Sequence, residues 1–225
     1  MIRRRSPHKA VTANGVPEAC VTRLSLYARE LALLEIQGKG FVSSRWLAQQ
    51  LGLTDAQVRR DLSYFGQFGV SGKGYNVRVL HGRLTGILGV SGRTWNLALA
   101  GIGNLGSALL AHKGFRERGF LFRIAVDTDP AKVGQTVEGL TVSAADRLTA
   151  LVREHKVHIG VIAVPAAAAQ NVCDHLLQGG VRSIMNFAPV RLETGTGARV
   201  RSVDLALEME SLAFHLARGE AAAHA

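Results

Sequence analysis

The sequence lacks long apolar runs and has few cysteines. Its 225 residues contain no run of roughly 18 apolar residues, the length that a membrane-spanning helix needs, so no membrane span is expected. The basic residues near the N-terminus are not followed by an apolar stretch, which argues against a signal peptide. The two cysteines, Cys20 and Cys173, lie far apart, which predicts structural thiols in a reducing, cytoplasmic location.

Acidic residues are scarce in the first part of the chain. Residues 1–92 carry 13 lysines and arginines against 5 aspartates and glutamates, whereas residues 93–225 carry 14 against 12. This asymmetry indicates a basic module followed by a nearly neutral one, and a basic module favours a polyanionic partner such as nucleic acid. The predicted organisation is a basic tail over 1–14, an N-terminal domain over 15–92, a C-terminal domain over 93–203 and a terminal helix over 204–225.

Three helices are predicted at the start of the N-terminal domain. Apolar residues recur at helical spacing from Val21, and Gly38 ends that first helix. Ser43 or Ser44 caps the second helix, which stops at Gly52.

The third helix starts at about Asp55 and has two different faces. Thr54 and Gln57 have the spacing of a capping box, in which each side chain satisfies a backbone donor of the other. Three apolar residues form a stripe that faces the other helices: Val58, Leu62 and Phe65. The remaining surface is basic and rich in hydrogen-bonding groups: Gln57, Arg59, Arg60, Ser63 and Tyr64.

Two helices, a short turn and a basic helix form the pattern of a helix-turn-helix, whose second element enters the major groove of DNA. There arginine pairs with guanine and glutamine with adenine, while hydroxyl groups such as those of Ser43 and Ser44 hold phosphates. Glycines follow around Lys73, and residues 75–80 then alternate as in a strand, which predicts a wing with Lys73 at its tip. The alternative is a small three-helix bundle with an exposed charged face.

The C-terminal domain begins with a dinucleotide-binding pattern. A short apolar strand ends at Ala100, and a helix follows the glycines. Gly101 allows the tight turn, Gly103 lets the backbone approach a pyrophosphate, and Gly106 lets helix and strand pack closely. The candidate phosphate-binding segment is Gly101, Ile102, Gly103, Asn104, Leu105 and Gly106, at a helix N-terminus whose free N–H groups favour an anion.

A second predicted strand ends in Asp127, 21 residues after Gly106. At this distance an acidic residue takes the ribose hydroxyls of the adenosine half, which favours NAD(H) over NADP(H), because a carboxylate repels a 2′-phosphate. Asp129 is the other acid of this segment, and the proline that follows it is consistent with a role as a turn residue instead. A Rossmann-type module for another nucleotide, such as coenzyme A, is the further alternative.

Alternating strands and helices follow and predict a parallel sheet covered on both faces. Helices are predicted over 146–154 and 166–177, and strands over 158–165 and 183–187. Three residues at strand ends are candidates for the nicotinamide end of the site: Pro165, Asn186 and Ala188. The alternative is that each of them only ends a strand and begins a loop. From Asp204 an amphipathic helix follows, which packs on its own domain or carries an oligomer contact.

Together these segments resemble the Rex family of redox-sensing transcriptional repressors. The most specific strings are Val58 to Gly66, Gly72 to Tyr75, Gly101 to Gly106, Asn186 to Leu192 and Val203 to Leu205. The resemblance implies an α/β fold with an N-terminal winged helix-turn-helix, a Rossmann-like parallel domain and a swapped C-terminal helix.

The family resemblance also implies function. It implies a homodimer that binds palindromic double-stranded operator DNA, takes NAD and NADH, and is released by NADH, with no catalytic residue and no metal. In the family, an arginine at the position of Arg23 and an aspartate at that of Asp204 couple the nicotinamide state to the DNA-binding domains. The alternatives are that Arg23 belongs to the basic surface and that Asp204 caps a helix. The family commonly has tyrosine where this chain has His112, at a position that the resemblance links to the nicotinamide end of the site and to the same coupling. The alternative is an NAD-dependent dehydrogenase with a basic appendage.

Overall fold

The computed structural model describes residues 15–195 and 197–223, with side chains of the last helix described as far as Ala217. The predicted basic tail, residues 1–14, and the last two residues of the predicted terminal helix lie outside the described residues. The chain divides into two compact units, one ending at Arg93 and the other starting at Thr94. Within the described ranges, no helix combines the length and the apolar character that crossing a membrane requires.

The N-terminal unit is a winged helix. Its elements are α1 (Glu18–Ile36), β1 (Phe41–Val42), α2 (Ser44–Gln50), α3 (Asp55–Ser63), β2 (Gly69–Val70), β3 (Gly74–Asn76) and α4 (Val77–Ile87). The three short strands form an antiparallel sheet in the order β1-β3-β2. Apolar side chains of all four helices meet in one core, among them Leu24, Leu47, Val58 and Leu80. The three predicted helices are therefore confirmed.

The predicted strand over residues 75–80 is wrong beyond Asn76. Asn76 is the N-cap of α4, and its Oδ1 accepts a hydrogen bond from the backbone N–H of Val79 at 3.0 Å. Val77, Leu80 and Leu84 are buried in the core and follow helical spacing. A capping asparagine with a buried stripe at three- and four-residue steps outweighs the short alternating pattern.

The C-terminal unit is built on a seven-stranded sheet. Its strands are β4 (Trp95–Ala100), β5 (Phe120–Asp127), β6 (Thr136–Val137), β7 (Leu140–Ala144), β8 (Ile159–Ile162), β9 (Ser183–Asn186) and β10 (Arg199–Ser202). Its helices are α5 (Asn104–Ala111), α6 (Lys113–Glu117), α7 (Leu148–Glu154), α8 (Ala166–Gln178) and α9 (Leu205–Ala223). The order is β10-β9-β8-β4-β5-β7-β6, and among these described strands only the β6–β7 pair is antiparallel.

Apolar clusters cover both faces of this sheet, because successive side chains of a strand point to opposite faces. Ala98 and Ala100 of β4 point to one apolar cluster, and Leu97 and Leu99 point to the other. β4 pairs with β5 on one side and with β8 on the other, so the chain order reverses at β4. Ligands of open parallel sheets bind at such a reversal, outside the carboxyl ends of the strands. The predicted Rossmann-like domain, a parallel sheet covered on both faces, is confirmed, and it is doubly wound.

Candidate functional site

The turn after β4 contains two glycines that the fold requires and one that it does not. Gly101 has a φ of +94°, and a Cβ there would lie 2.5 Å from the carbonyl oxygen of Ala163. A Cβ at Gly106 would overlap the carbonyl oxygen of Gly101. Gly103, in contrast, has a φ of −84°, and a Cβ there would meet nothing within 4 Å. The open space beside Gly103 therefore suits the close approach of a ligand.

The N-terminus of α5 lies beside that space. Gly103 is the N-cap, and its carbonyl accepts the first helical hydrogen bond, from Ser107, at 2.9 Å. First-turn N–H groups, here those of Asn104 and Leu105, have no intrahelical acceptor, so this end attracts phosphate. The N–H of Ile102 is already used, because it donates to Asp127 at 2.7 Å.

Asp127 holds the glycine turn as well as facing the cavity. Its Oδ2 accepts from the N–H of Ile102, and its Oδ1 accepts from the N–H of Asp129 at 2.9 Å. The ammonium of Lys132 lies 3.4 Å from Oδ2. Burial would raise the pKa of Asp127, but the backbone hydrogen bonds and the charge of Lys132 outweigh it and hold that pKa below its usual range. The carboxylate is therefore ionised at neutral pH.

A cavity of about 580 Å³ extends from this turn along α8, with mostly apolar walls. Gly101, Gly103 and Asp127 line it together with Pro165, so these four predicted residues are brought together. The sequence interpretation missed Lys132 and also the part of the cavity between α7 and α8. Lys132 lies three residues after Asp129, in the turn that Asp129 begins. The predicted turn at Asp129 was the available sequence signal for this lysine. The open space at Gly103, the helix end and the ionised acid fit the adenosine diphosphate half of a dinucleotide.

Asn186 and Ala188 are buried and do not line this cavity. The Nδ2 group of Asn186 donates to the carbonyls of Ala188 at 3.1 Å and Val190 at 2.9 Å, and its Oδ1 accepts from the N–H of Ala188 at 3.0 Å. These bonds use both the amide and the carbonyl of the side chain within one turn. Asn186 therefore shapes the end of β9. This geometry does not favour its predicted direct contact with a ligand.

The outer face of α3 presents exposed polar groups. Arg60 is exposed and has no side-chain partner among the residues that the structure describes. Ser63 donates to the carbonyl of Arg60 at 2.7 Å, and Tyr64 is about half exposed. Arg59 pairs with Asp55 on the preceding turn of α3 at 2.7 Å, an exposed contact that costs little to break.

The other predicted DNA contacts lie on neighbouring elements. Ser43 is the N-cap of α2 and accepts from the N–H of Trp46 at 3.1 Å. Ser44 accepts from Arg59 at 3.3 Å. Lys73 is exposed in the turn between β2 and β3, where a wing tip is predicted.

The side chain of Gln57 does not have the two roles, in a capping box and in base contact, that the sequence predicts. Thr54 accepts from the N–H of Gln57 at 3.2 Å, as in a capping box, but the amide of Gln57 does not complete the box. Its Nε2 group instead donates to Asp61 at 2.7 Å. A bidentate pair with adenine needs both the amide and the carbonyl of the glutamine. In this geometry the amide is engaged inside the domain.

Arg23 belongs to a buried network around Asp61 of α3. Arg23 donates to Asp61 through Nε at 2.5 Å and Nη2 at 2.8 Å, and Tyr27 donates to it at 2.8 Å. Burial would raise the pKa of Asp61, but the hydrogen bonds from Arg23, Tyr27 and Gln57 hold it below its usual range. Burial and the nearby Asp61 raise the pKa of Cys20 to about 11, so that thiol stays protonated. The network fixes α3 to α1.

His112 and Asp204 occupy the ends of two helices in the C-terminal unit. His112 follows α5 at the end opposite Gly103, is exposed, and packs against Phe115 with ring centroids 4.8 Å apart. It does not line the cavity at Gly103. Asp204 accepts from the N–H of Ala206 at 2.9 Å and thereby caps α9. No group of three metal-ligating side chains occurs in the described ranges.

Two family models and several solved structures match this chain. A model described as "Putative DNA-binding protein N-terminus" matches residues 15–63, and one described as "CoA binding domain" matches residues 92–190. A crystal structure of RSP with β-NAD+ and operator DNA has a TM-score of 0.87 at 32% identity and covers 91% of this chain and 94% of that chain. RSP with β-NADH has a TM-score of 0.83 at 31% identity, over 91% and 96% of the two chains. RSP is a Rex-family repressor.

A winged helix followed by a doubly wound domain of the nucleotide-binding type defines the class of DNA-binding regulators with a sensor domain. The chain is 46% identical to the redox-sensing transcriptional repressor Rex of Desulfitobacterium hafniense, over 89% of this chain and 95% of the relative. It is 48% identical to Rex of Carboxydothermus hydrogenoformans, over 90% and 97% of the two chains, and 44% identical to Rex of Streptomyces coelicolor, over 97% and 85%. The chain therefore belongs to the Rex family of redox-sensing transcriptional repressors.

Proposed function

We propose that this protein binds palindromic operator DNA as a repressor and leaves it when NADH binds, so that operator occupancy follows the balance of NADH and NAD. The observation that carries the proposal is the similarity to RSP, whose solved complexes contain β-NAD+ with operator DNA, and β-NADH. The open space at Gly103 and the ionised Asp127 support a dinucleotide site in this chain. The exposed Arg60 on α3 supports the DNA contact.

Arg60 is the proposed base-reading residue of α3. It lies on the face opposite the buried Val58 and Leu62, and an arginine there pairs with guanine in the major groove. Arg59, Ser63, Tyr64 and the serines at α2 are proposed to hold phosphates, with Lys73 of the wing. Gln57 belongs to the internal network, and it contributes to DNA binding through the position of α3.

The homodimer is proposed to form through α9. Apolar residues recur along it at steps of three or four, namely Leu205, Met209, Leu212 and Leu216. Leu207 and Phe214 lie about half a turn away at roughly 100° per residue, so α9 is apolar on two opposite sides. All side chains from Leu205 to Ala217 are exposed in the single chain. A helix that is apolar on two sides suits insertion between two surfaces of a second copy.

Arg23 is proposed to carry the nicotinamide signal to α3. Its Nε and Nη2 hold Asp61 of α3, and its side chain remains 22% exposed. The family resemblance assigns Asp204 to the same coupling, and a change at Arg23 would act on α3 through Asp61. The resemblance also assigns His112 to this coupling, in the place of the usual tyrosine.

The dinucleotide is proposed to act as an effector and not as a hydride donor. NADH shifts the equilibrium between DNA-binding and released states only by its difference in affinity for the two states. A ratio of about a hundred corresponds to roughly 2.7 kcal/mol, within the usual range of allosteric coupling. The "CoA binding domain" match agrees with the proposed site, since coenzyme A and NADH share an adenosine diphosphate portion. Because it acts on operator DNA, the repressor is proposed to be cytoplasmic.

The test is a gel shift on DNA from upstream of the chain's own gene, titrated with NADH and with NAD. We expect retention with NAD and release with NADH. Arg60→Ala is expected to weaken DNA binding by about 1–3 kcal/mol for each recognition helix, while NADH binding, followed by its fluorescence, stays unchanged.

Arg78→Ala is the matched control, because Arg78 is an exposed arginine of the same unit whose Nε lies 3.3 Å from Glu35. Equal retention of DNA with both dinucleotides would refute the sensor function. Unchanged DNA binding by Arg60→Ala would refute the assignment of α3 as the base-reading helix.

A further inference from the structure

His175 of α8 lines the cavity that contains the glycine turn, and Thr149 of α7 holds its ring. The hydroxyl oxygen of Thr149 lies 3.0 Å from Nδ1 of His175 and 3.1 Å from the backbone carbonyl oxygen of the same residue. One hydroxyl therefore meets two polar atoms of His175.

These two contacts determine which ring nitrogen carries the proton. A threonine hydroxyl has one hydrogen to donate, and a carbonyl oxygen is only an acceptor, so the hydroxyl of Thr149 donates to the carbonyl of His175. Nδ1 must then donate its own hydrogen to the oxygen of Thr149. In the neutral imidazole this leaves Nε2 without a hydrogen, as an acceptor. Nε2 has no hydrogen-bond partner among the described residues.

The cavity around His175 suits a flat, largely apolar ring. Its walls include Val126, Leu148, Val164 and Val172, and it is continuous with the open space at Gly103. Asp127 faces the same cavity, where a ribose would stand between the pyrophosphate and the base. A purine attached to that ribose would therefore lie between α7 and α8, on the side of His175.

We propose that Nε2 of His175 accepts a hydrogen bond from the 6-amino group of adenine and so selects adenine dinucleotides against 6-oxopurine dinucleotides. Thr149 is the positioning residue, because it keeps the hydrogen on Nδ1. A 6-oxo group would turn an acceptor toward the acceptor Nε2 and leave both without a hydrogen. The inference rests on the proposed function, since it assigns one half of the same dinucleotide to this cavity.

The first measurement compares three reduced dinucleotides on the full-length protein, by the fluorescence of the bound nicotinamide. Nicotinamide hypoxanthine dinucleotide carries the 6-oxo group, and we expect it to bind about tenfold more weakly than NADH, as an unmatched buried acceptor implies. The 1-deazaadenine dinucleotide keeps the 6-amino group and lacks only N1. It is expected to bind like NADH.

The second measurement repeats the comparison on variants. His175→Phe keeps a ring of similar size and removes the acceptor, so its preference for NADH over the hypoxanthine dinucleotide is expected to disappear. Thr149→Val leaves His175 in place but frees its tautomer, and the preference is expected to fall to within about threefold. His155→Phe is the control, because His155 lies at the end of α7 outside the cavity, and it is expected to keep the full preference.

The outcomes separate this inference from the function on which it rests. Equal binding of NADH and the hypoxanthine dinucleotide by the wild-type protein would overturn the role of His175, and so would a preference that survives in His175→Phe. Weak binding of the 1-deazaadenine dinucleotide would also overturn it, because N1 would then be the contact. Failure of the wild-type protein to bind NADH at all would refute the proposed function, and the inference with it.

Discussion

Among the residues that the structure describes, each unit buries one aspartate, and the two are held in different ways. Asp61 of the winged helix is 1% exposed and accepts hydrogen bonds from the side chains of Arg23, Tyr27 and Gln57. Asp127 of the doubly wound unit is 9% exposed and accepts from two backbone N–H groups and a half-exposed lysine. Both carboxylates are ionised, and both have a pKa below the usual range.

The difference between the two aspartates explains their different roles. The donors of Asp61 come from α1 and α3, so this carboxylate joins two helices and is closed to any ligand. The main donors of Asp127 are backbone groups of its own turn and of the glycine turn, and the side chain still lines a cavity. An acid fixed by backbone donors can keep its position and remain open to a ligand, because no side chain has to cover it.

Removing the carboxylate of Asp61 is expected to have the largest effect. Asp61→Ala leaves the guanidinium of Arg23 and the hydroxyl of Tyr27 without their acceptor, and breaking a buried pair in this way costs about 3–5 kcal/mol. The measurement is urea unfolding in a Trp95→Phe background, where Trp46 of α2 is the remaining tryptophan and reports the winged helix.

Asp55→Ala is the control for that experiment, since Asp55 also pairs with an arginine but on the exposed face of the same helix. It is expected to change unfolding far less than Asp61→Ala does. Similar effects of the two substitutions would contradict the role of Asp61 as the contact that joins α3 to α1.

Removing the carboxylate of Asp127 is expected to have a smaller effect on stability and a selective one on binding. Asp127→Ala leaves the buried N–H of Ile102 without its acceptor, at a cost of about 1–3 kcal/mol. Unfolding is followed in a Trp46→Phe background, where Trp95 of β4 reports the doubly wound unit. NADH binding should weaken far more than NADPH binding, because the carboxylate binds ribose hydroxyls and repels a 2′-phosphate.

Asp174→Ala provides the comparison for Asp127, because Asp174 is an exposed acid of α8 outside the cavity. It is expected to leave both dinucleotide affinities unchanged. An equal loss of NADH and NADPH binding in Asp127→Ala would remove the ribose role and leave only the structural one.

Mild acid is expected to have the smallest effect. The pKa of Asp61 is lowered in the folded state, so its contribution is present above the unfolded pKa of about 3.9 and is lost as the pH falls toward the folded pKa. Between pH 7 and pH 4 this loss is at most about 0.4 kcal/mol. Asp61→Asn should show that much less acid sensitivity in the Trp46 unfolding assay, and an equal or steeper acid dependence would contradict the direction of the shift.

Much of the fold is predictable from local patterns in the sequence. The strand before Gly101, the strand ending at Asp127 and the start of α3 after Thr54 all lie where periodicity and capping residues predict them. α4 is the main error, because Asn76 and the buried residues of α4 satisfy a helical pattern that also alternates over a few positions. The short strands β1, β6, β7 and β10 were missed, since two to five residues carry too little periodic signal.

The order of the modules, the glycine turn and the acid at the end of the second strand of the doubly wound unit all follow from local sequence patterns. These features depend on neighbouring residues, whose spacing sets backbone geometry directly. The packed fold, in contrast, is needed to identify the partners of Arg23 and Gln57, the hydrogen bonds that hold Asp127, and the pairing of Thr149 with His175. Such contacts join residues on different turns and elements, and their distances exist only once the elements have packed. Gly101 and Gly106 are thus readable from the chain, whereas the cavity wall opposite them is a product of the packed fold.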